Sequence, residues 1–336
     1  MQSREKFQQA TKRTDAAAIA RAVAAAKRGE AQGRIQVAGA MAWAAFSCPD
    51  ATNAVYDNIC SAWLGAGPSP EIPLNLTETA LEESFWEAFW TVVTGPEQGY
   101  DATSITVAVA SLAAAVHGDF AAVAENHARS HAGAAAALTR PVPGHTDIEA
   151  LAACPEESLG RSLYNMIIEN DYDPEVLDRD AIMLSALPPS LRYLNTRILQ
   201  MHDVWHLVAG YETTGTHEIA ISSFQLAQFG HNYSAMFLAV VSTISHCEQP
   251  RGFTILMQII AEAWQHGRST PAMMDIEWEE EWKHSLTQIR INHNISTMQS
   301  VFPADLMETM GEGSLLQKLS LGLRLLKYNR DIRKAA

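Results

Sequence analysis

Alternating runs of β-branched residues, the mark of strands with one buried face, are scarce in this chain, while alanine, leucine and methionine are plentiful. The pattern predicts an all-α fold. The length of 336 residues allows one large domain or two smaller ones, and either would bury a sizeable core. The Pro-rich stretch at residues 140–144 marks a subdomain boundary at most, so a single helical domain is expected. Cys48, Cys60, Cys154 and Cys247 are scattered with no CxxC pair. That distribution argues against a disulfide framework or a thiolate zinc site and fits a reducing compartment.

Charge narrows the partners. A formal net charge of −14 excludes nucleic acid as an expected partner, because phosphates need a basic face. The end of the chain runs against this trend. In residues 314–336, Lys318, Arg324, Lys327, Arg330, Arg333 and Lys334 face the single acid Asp331, a local charge of +5. Leu315, Leu316, Leu319, Leu323 and Leu326 recur there at near-helical spacing, which suits a membrane surface or, equally, a docked terminal helix or dimer contact. The first thirteen residues are basic without an apolar core, so they read as a surface helix or a weak transit-like helix and not as a secretory signal. Residues 219–247 hold no formal charge, but Ser222, Gln225, Gln228, His231, Asn232 and Ser234 interrupt them. A buried helix pair is the expectation there, with no membrane span.

Helices are expected at residues 14–27 (capped by Asp15), 35–46, 52–63, 76–93, 103–116, 120–138, 159–169, 191–210, 217–245 with a bend at Gly230, 251–266 and 278–290. A loop is expected at residues 65–73 and a turn at residues 171–174. Phe85, Trp86, Phe89 and Trp90 cluster on adjoining positions and read as core or, more sharply, as a wall for a hydrophobic ligand.

The chemistry concentrates in His202-Asp203-Val204-Trp205-His206, followed after eleven residues by Glu218. Positions i and i+4 put both imidazoles on one helix face, one turn apart, where two ring nitrogens can meet one ion at about 2.0–2.1 Å. The short Asp203 carboxylate reaches only the near side of that site, as a ligand or as a group that orients a ligand histidine. The Gly- and Thr-rich turn at residues 210–216 reverses the chain, and antiparallel packing of the next helix would point Glu218 back at the pair. The expectation is therefore a metal site between two neighbouring antiparallel helices. Two imidazoles and two carboxylates suit one divalent ion, Zn, Fe, Mn or Co, and the donor set does not choose among them. An aspartate after the first histidine disfavours metalloprotease chemistry, which needs glutamate there.

This pattern, HDxxH, eleven residues, then Glu, resembles the signature of the Coq-four family of ubiquinone (coenzyme Q) biosynthesis proteins. Arg197, Gly210 and the stretch from Glu218-Ile219-Ala220 to Phe224 agree with it, as do Gly160-Arg161-Ser162-Leu163-Tyr164, Phe46-Ser47-Cys48-Pro49-Asp50-Ala51-Thr52, the run from Ala263 to Arg268 and the run from Trp282 to Arg290. The resemblance implies a core at residues 34–298 with an insertion at about 66–100, an N-terminal helical extension at 1–33 and a basic tail at 299–336. Three positions depart from the family pattern: His217 stands for Gly, Gln225 for Glu and Leu199 for Arg. His217 could therefore compete as a ligand or sit behind the ligands.

The resemblance further implies metal-dependent oxidative decarboxylation, carboxyl to hydroxyl at ring carbon one, of a polyprenylated hydroxybenzoate. The metal ligands would be His202, Asp203, His206 and Glu218. Arg197 would pair with the substrate carboxylate or form a salt bridge within the helix pair. The alternative is a non-catalytic lipid-binding scaffold with a structural metal. The implied partners are a polyprenylated aromatic lipid, other ubiquinone-biosynthesis proteins, a membrane surface and a second copy of the chain. A bacterial member would be cytoplasmic and peripheral to the inner membrane.

Overall fold

Asp15 precedes an alanine-rich run, and its carboxylate accepts the amide of Ala18 at 2.7 Å, the capping bond such a position favours. The computed structural model describes residues 2–100, 102–113, 115–116, 120–131, 134, 140–170, 172 and 187–336. Among the described residues every regular element is a helix, and the only β-pairing is one isolated bridge between Ser158 and Ser285. In chain order the helices are α1 (Gln2–Ala10), α2 (Ala16–Lys27), α3 (Ala31–Phe46), α4 (Thr52–Leu64), α5 (Glu83–Thr94), α6 (Ala102–Leu112), α7 (Phe120–Arg129), α8 (Ile148–Ala152), α9 (Leu159–Asn170), α10 (Pro189–Ala209), α11 (Gly215–Phe229), α12 (Asn232–Glu248), α13 (Phe253–Ser269), α14 (Trp278–Glu281), α15 (Leu286–Asn292), α16 (Leu306–Glu312) and α17 (Leu315–Lys334). They share one apolar core and form a single helical domain.

The helices expected at 103–116 and 120–138 end early, at Leu112 and Arg129, and three others differ for reasons visible in their bonds. The segment before α5 is extended instead of helical, because the backbone of Thr79 pairs with Ser47 through an amide bond of 2.7 Å and a hydroxyl bond of 2.7 Å. The helix expected to bend at Gly230 stops there. Gly230 adopts φ +62°, closing α11 in a left-handed C-cap, and α12 starts afresh at Asn232. The helix expected over residues 278–290 is two helices. The carbonyls of Trp282 and His284 accept the amides of Gly160 and Leu159, and Ser285 caps a new helix by accepting the amide of Gln288. Gly160 is required at that crossing, since a Cβ there would sit 2.7 Å from the Cys154 sulfur and 3.0 Å from the Trp282 carbonyl oxygen. Residues 132–133 and 135–138 of the helix expected at 120–138, and residues 171, 173 and 174 of the turn expected at 171–174, lie outside the described residues.

The aromatic cluster is core. Phe7 of α1 stacks on Phe89 at 5.6 Å and meets Trp90 at 5.4 Å, while Phe46 of α3 packs on Phe85 at 5.0 Å. The N-terminal helix is thereby docked by a buried side chain. The uncharged stretch 219–247, shared by α11 and α12, is largely buried, and among the described residues no helix is long and apolar enough to cross a membrane.

Helix α11 is locked in place by α13. Gly267 lets the two backbones approach, for a Cβ there would lie 2.8 Å from the Phe224 carbonyl oxygen. Ser223 donates to the Ile260 carbonyl at 2.8 Å, and Gln228 donates to the carbonyls of Gly267 and Thr270. These buried bonds fix the axis of α11, and with it the direction of its first turn.

Candidate metal centre

Helix α10 starts at Pro189, whose fixed φ and missing amide suit a first turn, and it ends at Gly210 with φ +75°. Its last carbonyls are satisfied from outside. Arg290 donates to Leu207 and Val208 at 2.7 and 2.8 Å, and the amide of Met298 donates to Ala209 at 2.8 Å. The result is a rigid C-terminal end of α10, whose last two turns carry His202, Asp203 and His206.

The chain then turns and starts α11 at Thr214, whose hydroxyl oxygen faces the amide of His217 and donates to the Ala304 carbonyl at 2.8 Å. Glu308 of α16 accepts the amide of Gly215 at 2.7 Å. Glu218 stands in the first turn, where a carboxylate is favoured by the helix dipole.

The structure brings the expected residues together. The Nε2 atoms of His202 and His206 lie 3.0 Å apart. The two Glu218 carboxylate oxygens lie 3.3 Å from them, one facing each ring. Asp203 joins the pair, with one donor atom from each of His202, Asp203 and His206 within 4.8 Å of the others. His206 is 1% exposed, whereas Glu218 is 39% exposed, so the site has a closed floor and an open side.

The outer contacts decide which nitrogen points inward. The Nδ1 of His206 lies 3.2 Å from the Tyr211 carbonyl, which can only accept, so in the neutral ring this nitrogen carries the proton and Nε2 presents a lone pair. That lone pair faces a Glu218 oxygen at 3.3 Å. Two acceptors face to face repel unless a proton or a cation lies between them. Donors bound to one ion at about 2.0–2.1 Å and separated by angles of about 90–110° stand roughly 2.9–3.4 Å apart, and all three distances fall in that range. The donor set therefore fits a divalent ion.

Gln225 supports the other ring, with its side-chain nitrogen 2.7 Å from the His202 Nδ1. An amide offers a donor and an acceptor from the same place, so Gln225 can serve either tautomer of His202. Burial opposes charge on His202 and on Glu218 alike, but their mutual hydrogen bond and attraction win. The imidazole is raised above its ordinary range and the carboxyl is held far below its own.

Two further candidate residues stand apart from this convergence. The Nδ1 of His217 accepts the Glu212 amide at 2.8 Å, which commits that nitrogen to the loop, and burial lowers its pKa. Arg197 is 6% exposed and bidentate on Glu279 of α14, at 2.5 and 2.7 Å. The salt bridge thus forms with a third element and not within the helix pair. Its hydrogen bonds hold the Glu279 carboxyl below the ordinary range.

Sequence reading missed the Tyr211–His266 pair. The Tyr211 hydroxyl bonds the His266 Nδ1 at 2.8 Å, and the His266 Nε2 donates to the Ser296 carbonyl at 2.9 Å. Through this chain α13 fixes the residue whose carbonyl orients His206. No spacing rule could have found it, because His266 and Tyr211 are 55 residues apart.

Comparison with known proteins points the same way. The family described as coenzyme Q (ubiquinone) biosynthesis protein Coq4 matches residues 73–299, a span that begins after the Phe46 to Thr52 turn. A relative named ubiquinone biosynthesis protein COQ4 homolog, mitochondrial, from Rattus norvegicus is 26% identical over 153 residues, covering 45% of this chain and 55% of the relative. The homolog 1 from Culex quinquefasciatus is 24% identical over 152 residues, covering 45% and 53%. The chain thus spans about half the length of the curated relatives it matches. A crystal structure from Nostoc punctiforme, described as a candidate ubiquinone biosynthesis protein, is 21% identical with a TM-score of 0.49 and covers 63% of this chain and 96% of that one. That likeness is too loose to bear on the fold.

Proposed function

The chain belongs to the Coq4 family of coenzyme Q (ubiquinone) biosynthesis proteins, and from that premise we propose that it acts in ubiquinone biosynthesis as a metal-dependent oxidative decarboxylase of a polyprenylated hydroxybenzoate. The net change replaces a ring carboxyl by a hydroxyl. It consumes dioxygen, two protons and two electrons from a reductant, and it releases carbon dioxide and water. One observation carries the reading: two imidazole nitrogens and a carboxylate from two helices converge within 3.0–3.3 Å of one another on an open-sided site.

His202, His206 and Glu218 would hold the ion, with Asp203 as a fourth ligand or an orienting group. Bound there, a divalent ion supplies Lewis-acid and, if iron, manganese or cobalt, redox chemistry. The protein's own groups do the rest. The Tyr211 carbonyl keeps the His206 proton on Nδ1, so that Nε2 stays a donor. Gln225 holds the second ring at its angle. Arg197 lies five residues before His202, about 7.5 Å along the helix axis. It is the proposed partner of the substrate carboxylate, which would have to displace Glu279, with a side chain 54% exposed, from the guanidinium.

Metal analysis of protein purified without added metal or chelator tests the site. The expected result is one divalent ion per chain in the wild type and none in His206→Ala. Carbon dioxide release from a prenylated hydroxybenzoate, with dioxygen and a reductant, tests the chemistry. A metal-free wild type would overturn the whole reading. A bound ion with no turnover under iron, manganese, cobalt or zinc would remove its catalytic half.

A further inference from the structure

Helix α17 is amphipathic twice over. Leu321, Leu325, Tyr328 and Ile332 form the face that docks on the body, Leu321 and Ile332 being buried. Polar bonds fix that face. The Tyr328 hydroxyl donates to Gln258 of α13 at 2.7 Å, and Thr254 donates to Asn329 at 2.5 Å. The Tyr328 ring packs edge-on against Phe302 at 4.8 Å, and Ser314 and Gln317 close a capping box at the start of the helix. The helix is therefore held, and what its other face exposes is a property of the folded chain.

That other face carries Leu319, Leu323 and Leu326, which are 61%, 62% and 68% exposed. At about 100° per residue, positions i, i+4 and i+7 form one stripe, opposite the docked face. Single exposed leucines are ordinary, but an ordered stripe of three on an anchored helix is not. Arg330, Arg333 and Lys334 continue the stripe toward the end of the helix and Lys327 flanks it, while Lys318 and Arg324 turn back to donate to the carbonyls of Gly311 and Val301. Asp331 is the only acid in the helix.

We propose that this face docks on an anionic lipid bilayer surface, with the three leucines inserted at the headgroup boundary and the lysines and arginines on the lipid phosphates. Charge complementarity selects this occupant. Four exposed basic residues, Lys327, Arg330, Arg333 and Lys334, are gathered on this side of a chain of net charge −14, and anionic headgroups attract such a cluster. Long basic side chains can lay their stems along the apolar layer while their charges stay in water. A protein interface would favour aromatic residues and few lysines, whereas the exposed face of α17 has lysines and no exposed aromatic. The location suits a lipid-handling role. Helix α17 packs on α16, and α16 caps α11 through Glu308, one turn from Glu218. The docking surface stands independently of the metal reading.

Flotation of the full chain with vesicles tests it, using phosphatidylcholine alone and phosphatidylcholine mixed with phosphatidylglycerol. The wild type is expected to float with the mixed vesicles at least about tenfold more than with the neutral ones, and less at raised salt. The variant Leu319→Gln/Leu323→Gln/Leu326→Gln is expected to lose binding by at least about tenfold with a nearly unchanged melting temperature, since these side chains are mostly exposed. Lys327→Glu/Arg330→Glu should also weaken it. A wild type that stays in the soluble fraction with anionic vesicles overturns the proposal. So does a leucine variant that floats like the wild type, or one that merely turns a dimer into a monomer by light scattering while vesicle binding persists.

Discussion

Two histidine pairs in this chain share a spacing and nearly a local geometry. His202 and His206 on α10 have ring centroids 4.7 Å apart at 72°, and His127 in the last turn of α7 and His131 just beyond it have centroids 4.8 Å apart at 78°. Their surroundings differ. The first pair meets the carboxylate of Glu218 at 3.3 Å, and the His202 pKa rises. The second meets an amide, Asn53, 3.3 Å from the His131 Nε2. Among the described residues the buried His127 Nε2 has no hydrogen-bond partner, and Gly230 packs where a Cβ would lie 2.5 Å from the His131 ring. Burial and the neighbouring imidazole push His127 down to about 3. The i, i+4 spacing is thus a property of any helix, and the opposite charge brought by a second element is what makes a site of it.

The strongest test of this contrast removes the charge. Glu218→Gln keeps the shape of the carboxylate and leaves two imidazoles with an amide, as in the second pair. Metal affinity is expected to fall by more than about 100-fold, read by ion content after dialysis against a weak chelator. Retention at wild-type affinity would show that the histidine pair suffices.

Acid stability probes the buried pair. Because the folded His127 titrates below the unfolded histidine value, the folded chain binds fewer protons than the unfolded one. Stability should therefore be full above about pH 6.5 and decline as pH falls from there toward about 3, by roughly a few kcal/mol from this group. Denaturant titrations at a series of pH values should show a shallower decline for His127→Gln. Parallel declines would mean that other groups dominate.

The smallest expected effect adds charge. Asn53→Asp places a carboxylate beside the His131 Nε2 at the distance Glu218 keeps from His202. The His131 titration, followed by NMR, is expected to move upward by about one pH unit or more. An unchanged titration would show that burial outweighs a single neighbouring charge there.

Much of the site was legible before folding. His202 and His206 lie on one face by helical period alone, Gly210 and Thr214 punctuate the turn between the helices, and Glu218 falls in a first turn. Gln225 stood out as a departure from the family pattern, but only the structure sets it against the His202 Nδ1. Arg197 was placed on the right helix, yet its partner Glu279 comes from 82 residues away. The break at 282–285 was invisible, because its cause is a pair of carbonyl bonds to the start of α9.

Local rules thus settled from the chain alone that the fold is helical, roughly where most helices run and which side chains share a face, since each depends on a few neighbouring residues, whereas the breaks at 76–82 and 282–285 came from bonds to distant segments. Tertiary structure alone settled which faces meet. The approach of α11 to α13 at Gly267, and the Tyr211 carbonyl held from α13 through His266, set where Glu218 arrives and which nitrogen of His206 it meets. The same holds for α17, whose two leucine faces look alike in the sequence until packing buries one and leaves the other in solvent. Long-range packing makes that choice, because the free energy of burial depends on which surfaces remain for water and not on the order of residues along a helix.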